Sequence, residues 1–375
     1  MQRGYFQSKQ LTRDYHTFCP NPLRMLDVMV ARRSWRKYRE GKISAALETQ
    51  LKNFIKTSSN LRGCTEKELL LVTAKKQLPG IFEAAYKGFS GKINPWLRKS
   101  GTAGLLAMAI NKRARHEERP TAYAFPSMVV QDTVLWLTEK GMGTVWLAGL
   151  NGDEMAKVLG LPFDQWVPAM IVFGETGRSP SGINLDNLMY KSISRKRKPL
   201  QEIVYRDRYG QAFDIPEILS ERLQVNSSVS VTESLEYLSG WKKKKKARSP
   251  SQLEWEILAE SARISPSAAN KQQWKFILIQ EKTLLRDLRG LLKERRTLGG
   301  IIACIGMTSL PLLERGLERP FWMIDLPIAI SSITLMAGAL DFLARVYVDE
   351  IPEKQVNSLL QLDSDWRTVG LVGLR

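Results

Sequence analysis

Two short stretches hold residue types that could do chemistry. Residues Ala31 to Tyr38 read A-R-R-S-W-R-K-Y, so Arg32, Arg33, Ser34 and Arg36 put three guanidinium groups and a hydroxyl close together. Arginine grips anionic oxygens through paired donors and serine adds a hydrogen bond, so this cluster can converge on one phosphate. A basic helix end at the surface has the same composition. The second stretch, Ser265 to Trp274, reads S-P-S-A-A-N-K-Q-Q-W. There Pro266 stiffens a turn, and Ser267, Asn270 and Gln272 offer donors and acceptors in a place where loops often bind. An ordinary polar loop reads the same way.

Other chemistries lack their residues. His16 and His116 are the only histidines, and neither has ligand partners at metal spacing. A Ser-His-Asp mechanism has no G-x-S-x-G elbow to work from. Cys19, Cys64 and Cys304 are widely spaced, which argues against a disulfide framework or structural zinc and suits a reducing cytosol. The chain starts with polar and charged residues and has no apolar signal-like core there, so a cytoplasmic protein is expected. Lys and Arg outnumber Asp and Glu by 56 to 38, a net charge of +18, and the surface should attract anions. No zinc-finger spacing, RNP-like run or basic zipper accompanies the charge, so no nucleic-acid partner is expected. The run Lys242 to Lys246 reads as a solvated loop, with anion binding as the alternative.

The elements that must position these stretches come in two copies. With 375 residues, 43% of them hydrophobic, the chain suits two packed units. Ala124 to Trp146 lies on Asp325 to Tyr347 at a constant offset of 201, which matches Pro126 with Pro327. Earlier the best offset is 206: Trp35 meets Trp241, Leu51 meets Ile257 and Val72 meets Leu278. Two long registers in the same order point to duplication.

Each copy reads as α+β. In the second, Leu253, Ile257, Leu258 and Ala262 share a helical face, and a strand from Trp274 to Ile279 follows. Long apolar helices are expected at Ser127 to Lys140 and Leu326 to Leu343, hidden against each other as in a dimer interface. The apolar run from Leu326 is short for a membrane span, so a buried core helix is expected and no membrane span.

The two polar stretches resemble hallmarks of the nitroreductase family, an R-x-S-x-R/K segment near the start and a later P-S-x-x-N-x-Q-P-W segment. Gln273 stands here in place of the second proline. That family forms homodimers in which each FMN is held by the first segment of one subunit and the second of the other. At offset 206 the second copy has Leu238, Ser239 and Gly240 opposite Arg32, Arg33 and Ser34. The first copy has Asn60, Leu61, Arg62, Cys64 and Glu66 opposite Pro266, Ser267, Ala268, Asn270 and Gln272. Each copy has lost a different motif, and the survivors are the pair that would meet to build one site. Glu139 to Gly149 resembles the family's loop beside flavin N5, although Gly141 and Gly143 could simply end a helix. Arg195 to Leu200 resembles its late basic motif.

The resemblance implies a three-layer α/β/α sandwich in two fused copies forming an intramolecular pseudo-dimer. Its parts are an N-terminal extension (1–22), a first repeat with crossover arm (23–212), a linker (213–230) and a shorter second repeat (231–375). Arg32, Ser34, Arg195 and Arg197, with Arg33 beside them, would hold the FMN phosphate, and Arg36 would reach the ring edge. Pro266, Ser267, Ala268, Asn270 and Gln272 would line the ring, and Gly149 would offer an N–H near N5. Electrons would pass from NAD(P)H through the flavin to a nitroaromatic, quinone or similar acceptor, and no catalytic side chain is nominated. The fused chain would act as a monomer. A flavin-binding scaffold without turnover, or another flavin reaction such as dehalogenation, azoline oxidation or flavin fragmentation, is the alternative.

Overall fold

The computed structural model describes residues 25–85, 87, 96–97, 100–116, 120–176, 197–214, 229–242, 245–308 and 322–375. The first repeat runs α1 (Met25–Ala31), α2 (Ala45–Arg62), β1 (Leu69–Val72), α3 (Leu78–Ala85), β2 (Gly104–Met108), α4 (Pro120–Glu139), β3 (Met142–Leu147), α5 (Gly152–Val158) and β4 (Met170–Glu175). An arm strand, β5 (Val204–Arg206), leads to the second repeat. That repeat contains α6 (Val231–Glu236), α7 (Gln252–Arg263), β6 (Trp274–Ile279), α8 (Lys282–Leu291), β7 (Gly300–Met307), α9 (Trp322–Ala339), β8 (Ala344–Tyr347), α10 (Glu353–Leu359) and β9 (Trp366–Leu374).

The duplication is visible in three dimensions. The first sheet has strand order β1-β2-β4-β3, and the second repeats it as β6-β7-β9-β8, antiparallel throughout. Helix α5 maps onto α10 at the same offset of 201 that matches Pro126 with Pro327. The second sheet gains a fifth strand because β5, from the first repeat's arm, pairs in parallel with β6 through Val204–Phe276, Tyr205–Ile277 and Arg206–Leu278. Sequence reading left this arm strand unrecognised.

Period-two alternation sorts the core into three layers of apolar packing. Leu105 and Ala107 of β2 face an outer cluster with α3 and α5, while Leu106 and Met108 face inward. In β7, Ile301, Ala303 and Ile305 face the outer cluster of α8 and α10, and Ile302 and Cys304 face inward. The inward sides of both sheets share one central core, filled by α2, α4, α7 and α9. Helices α4 and α9 pack on each other at its centre, as expected for two apolar helices that must hide from water. Helix α9 has a mean hydropathy of 1.4 over 18 residues, yet every residue is buried in the protein.

Several expectations need correction. Both long helices begin earlier than the sequence suggested, with Pro126 and Pro327 inside them. Proline usually marks a helix start because it lacks an N–H, but the surrounding packing overrides that local preference here. Leu253 lies 37% exposed, and the buried stretch of α7 is Trp255–Arg263. Of the lysine run, Lys245 is not simply solvated: its ammonium pairs with Asp341 at 2.7 Å and donates to the Asp341 carbonyl. Lys243 and Lys244 lie outside the described residues, as do Cys19, Arg195 and most of the proposed linker.

Candidate functional site

The first basic stretch leaves α1 as an extended segment along β3, the edge strand of the first sheet. Ser34 bridges Thr144 in parallel, and the Trp35 amide donates to the Thr144 carbonyl at 2.9 Å. In extended backbone alternate residues share a side, and burial follows that rule. Arg33 and Trp35 are buried, whereas Arg32, Ser34 and Arg36 are half-buried. The Arg33 guanidinium lies over the Trp35 ring at 3.8 Å, a cation–π contact. Arg36 approaches Trp96 at 6.0 Å. A crevice of about 10 Å³, barely the size of one water, lies between Arg32, Arg33, Trp35 and the end of α4.

The nearby glycines have structural work. Gly141 takes φ +75° and ends α4, its amide bonded to the Thr138 carbonyl. At Gly143 a Cβ would lie 2.8 Å from the Trp35 ring, so the small residue lets that ring sit against β3. Gly149 lies just beyond β3 and is half-buried.

The second polar stretch is a strained loop between α7 and β6. Helix α7 starts with a capping box in which Ser251 and Glu254 satisfy each other's amides. It stops at Arg263, ahead of Pro266, because a proline disfavours helical backbone before it. Ala269, Asn270 and Gln272 then take φ of 49°, 55° and 51°. Left-handed backbone costs about 1 kcal/mol at each such residue, and strain of this kind clusters at binding sites. Side chains hold the loop in place. Gln272 receives at Oε1 from the Lys198 amide at 2.9 Å, donates through Nε2 to the Asn270 carbonyl at 3.1 Å, and its own amide donates to Ser267 Oγ at 3.1 Å. Gln272 is thus tied into the loop itself.

The arm's basic motif lands on this loop. Arg197 donates to Asn270 Oδ1 at 2.6 Å and to the Ile264 carbonyl at 3.1 Å. The Lys198 ammonium donates to the Gln272 carbonyl at 3.1 Å, and burial, with Lys275 nearby, lowers its pKa. Lys198 was missed as a loop contact, although it belongs to the basic run that drew notice to Arg197. Asp325, at the start of α9 and 4% exposed, accepts from the Ala268 amide at 3.1 and 3.0 Å. It too was missed, because one acid at the head of an apolar helix looks like a helix-start signal. Pro266 is half-buried between these contacts. Arg32 to Arg36 and Pro266 to Gln272 are therefore held by different elements, linked by α1, which packs on both α4 and α9.

The first repeat builds the aligned position differently. With Asn60 where the second repeat has Pro266, α2 continues past the aligned Thr57 to Arg62 and is capped by Gly63 at φ 76°. Arg62 and Asp132 form a fully buried ion pair, with Nη2 to Oδ1 at 2.8 Å and Nε to Oδ2 at 2.9 Å. Ser58 and Ser331 donate to the same carboxylate at 2.7 Å each, and Arg62 reaches Thr334 of α9 at 2.8 Å. Where the other half has Ala268, this one has an arginine buried in the interface. The second repeat's counterpart of the phosphate motif is a tight helical turn, Tyr237–Lys242, in which Ser239 donates to the Glu236 carbonyl.

The family model described as "Putative TM nitroreductase" matches residues 24–223. The chain belongs to that family. Membership places the chain among the flavin oxidoreductases. Similar solved structures include a "putative nitroreductase" of Thermotoga maritima, 15% identical, covering 94% of each chain at a TM-score of 0.44. An FMN-dependent nitroreductase of Clostridium difficile is 18% identical over 43% of this chain and 93% of its own, TM-score 0.30. A nitroreductase family protein of Clostridium novyi is 18% identical over 51% and 97%, TM-score 0.34. No curated protein sequence matches the chain.

The residues present suit a flavin mononucleotide. Arg32, Ser34 and Arg36 are half-buried, and their guanidinium and hydroxyl groups are the donor types a phosphate would need. At the end of the strained loop, Gln273 Oε1 is buried and has no hydrogen-bond partner among the described residues, so an acceptor is left over there for a ligand donor.

Proposed function

We propose that this nitroreductase-family chain binds one FMN between its two repeats and uses it to pass electrons from NAD(P)H to a nitroaromatic, quinone or similar flat acceptor. The observation that carries the reading is the unequal fate of the two halves. The half with the basic stretch has a buried Arg62 in place of the loop, and the half with the loop has a helical turn in place of the basic stretch. One composite site per chain follows, and the fused pair needs no second chain to complete it.

In this reading Arg32, Ser34 and Arg195 hold the phosphate, while Arg33 stacks on Trp35. Arg197 ties the arm to the loop through Asn270 and adds positive charge to that end. Arg36 would reach the ring edge, where its positive charge would offset negative charge gained on reduction. Ser267, Ala268, Asn270 and Gln272 shape the loop against the ring, and Gly149 contributes backbone close to it. When bound, FMN supplies the two-electron chemistry itself, so the protein positions and tunes.

The test is NAD(P)H oxidation by FMN-loaded protein with a nitroaromatic and a quinone, alongside Arg32→Ala. Turnover in the wild type, with FMN retention weakened about tenfold or more in the variant, is expected. FMN bound without any turnover would instead favour a flavin-binding scaffold.

A further inference from the structure

We propose that Asp325 is a positioning residue for the FMN loop, an inference that rests on the flavin reading above. Its carboxylate sits on the buried interface helix α9, with both oxygens within 3.1 Å of the Ala268 amide. Ala268 opens the segment in which Ala269, Asn270 and Gln272 are all left-handed. A backbone so strained persists only where its surroundings over-determine it. Among the ties that do so are Arg197 on Asn270, Lys198 on Gln272, and Asp325 on Ala268. The first two come from the arm, whereas Asp325 comes from α9 at the buried centre of the molecule, as does Ser332, which bonds Ser265 where the loop leaves α7.

The internal repeat supplies the control. Asp325 aligns with Ala124, and Ala268 aligns with Arg62. The half that keeps the loop has the acid, and the half that replaced the loop by helix has alanine. In that half the interface carboxylate is Asp132, one that aligns with Ile333 and serves Arg62 instead. Each buried acid therefore serves what its own half built at this position. A hydrogen bond to a buried carboxylate is among the stronger ones, so this tie fixes where the loop begins.

The experiment is FMN titration by flavin fluorescence, with thermal unfolding on the same samples, for wild type, Asp325→Ala and Asp325→Asn. Asp325→Ala should weaken FMN binding about tenfold or more. Asp325→Asn keeps an oxygen that accepts from the Ala268 amide and should restore binding to within a few-fold. Ala268→Pro deletes the same bond from the other side and serves if Asp325→Ala does not fold. Ser267 is extended at φ −139°, ψ 155°, and a proline is tolerated at the first position of a helical turn. Ala268→Pro should lose FMN affinity like Asp325→Ala. Equal FMN affinity in wild type and a folded Asp325→Ala or Ala268→Pro overturns the positioning role while leaving the flavin reading intact, as does Asp325→Asn binding no better than Asp325→Ala. A folded wild type that binds no FMN overturns both.

Discussion

Arg62 and Asp132 form a buried ion pair at the centre of the molecule, with side chains 2% and 0% exposed. Burying two charges is costly, and the pair is tolerable because Ser58, Ser331 and Thr334 satisfy its remaining hydrogen-bonding capacity. Removing one partner leaves the other charged, dry and unpaired. Arg62→Met should therefore lower stability by about 3–5 kcal/mol, read as a shift of the urea midpoint, and Arg62→Met with Asp132→Leu should recover much of it. Equal losses in single and double variants would mean that the charges do not act as a pair. At this scale the sequence was legible in part. Arg32, Ser34, Arg36 and Asn270 stood out by type and spacing, but Arg33 could not be separated from its neighbours until extended backbone turned it inward onto Trp35. The gap opposite Ala268 was visible as a lost motif. That a charged side chain is buried there depended on Asp132, far away in sequence, and could not be read locally.

Helix ends set the two halves apart. The aligned helix stops at Arg263 ahead of Pro266 in one half and runs on to Arg62 in the other, which replaces a loop by helix. A second helix end carries a pH signature. Glu139, the last residue of α4, accepts from the Val231 amide at 3.0 Å, where α6 begins. Burial, the largest influence, pushes its carboxyl above the ordinary value of 4.5 despite that bond. A raised carboxyl binds its proton more tightly in the folded state, so its contribution to stability is full below pH 4.5 and fades as pH rises through the raised value. Glu139→Gln keeps an acceptor for Val231 and should gain stability over wild type at pH 7 but not at pH 4, measured as the difference in melting temperature. Parallel stability–pH curves would remove Glu139 from this account. The elements themselves were largely legible, because α5 and α10 repeat at one offset and strand β6 spans the expected Trp274–Ile279. The starts of α4 and α9 were not, since packing keeps Pro126 and Pro327 inside helices. The arm strand β5 was also hidden: three residues pairing in parallel with a distant strand leave no local pattern.

At the scale of the molecule, the two repeats turn their apolar helices inward and share one core, so neither half's sheet could keep its inner face dry alone. The arm then ties them a second time, through β5 on β6 and Arg197 on Asn270. Duplication was legible because two registers held over long stretches. The fused arrangement gave it meaning, because motifs lost from opposite halves are those that would meet across the pair. A single composite site per chain is tested by counting the flavin. Protein purified after FMN supplementation is scanned in the visible range, and its flavin is then released, identified and measured against protein. One FMN per chain is expected. Two per chain would contradict a single site, and none would contradict the composite site itself.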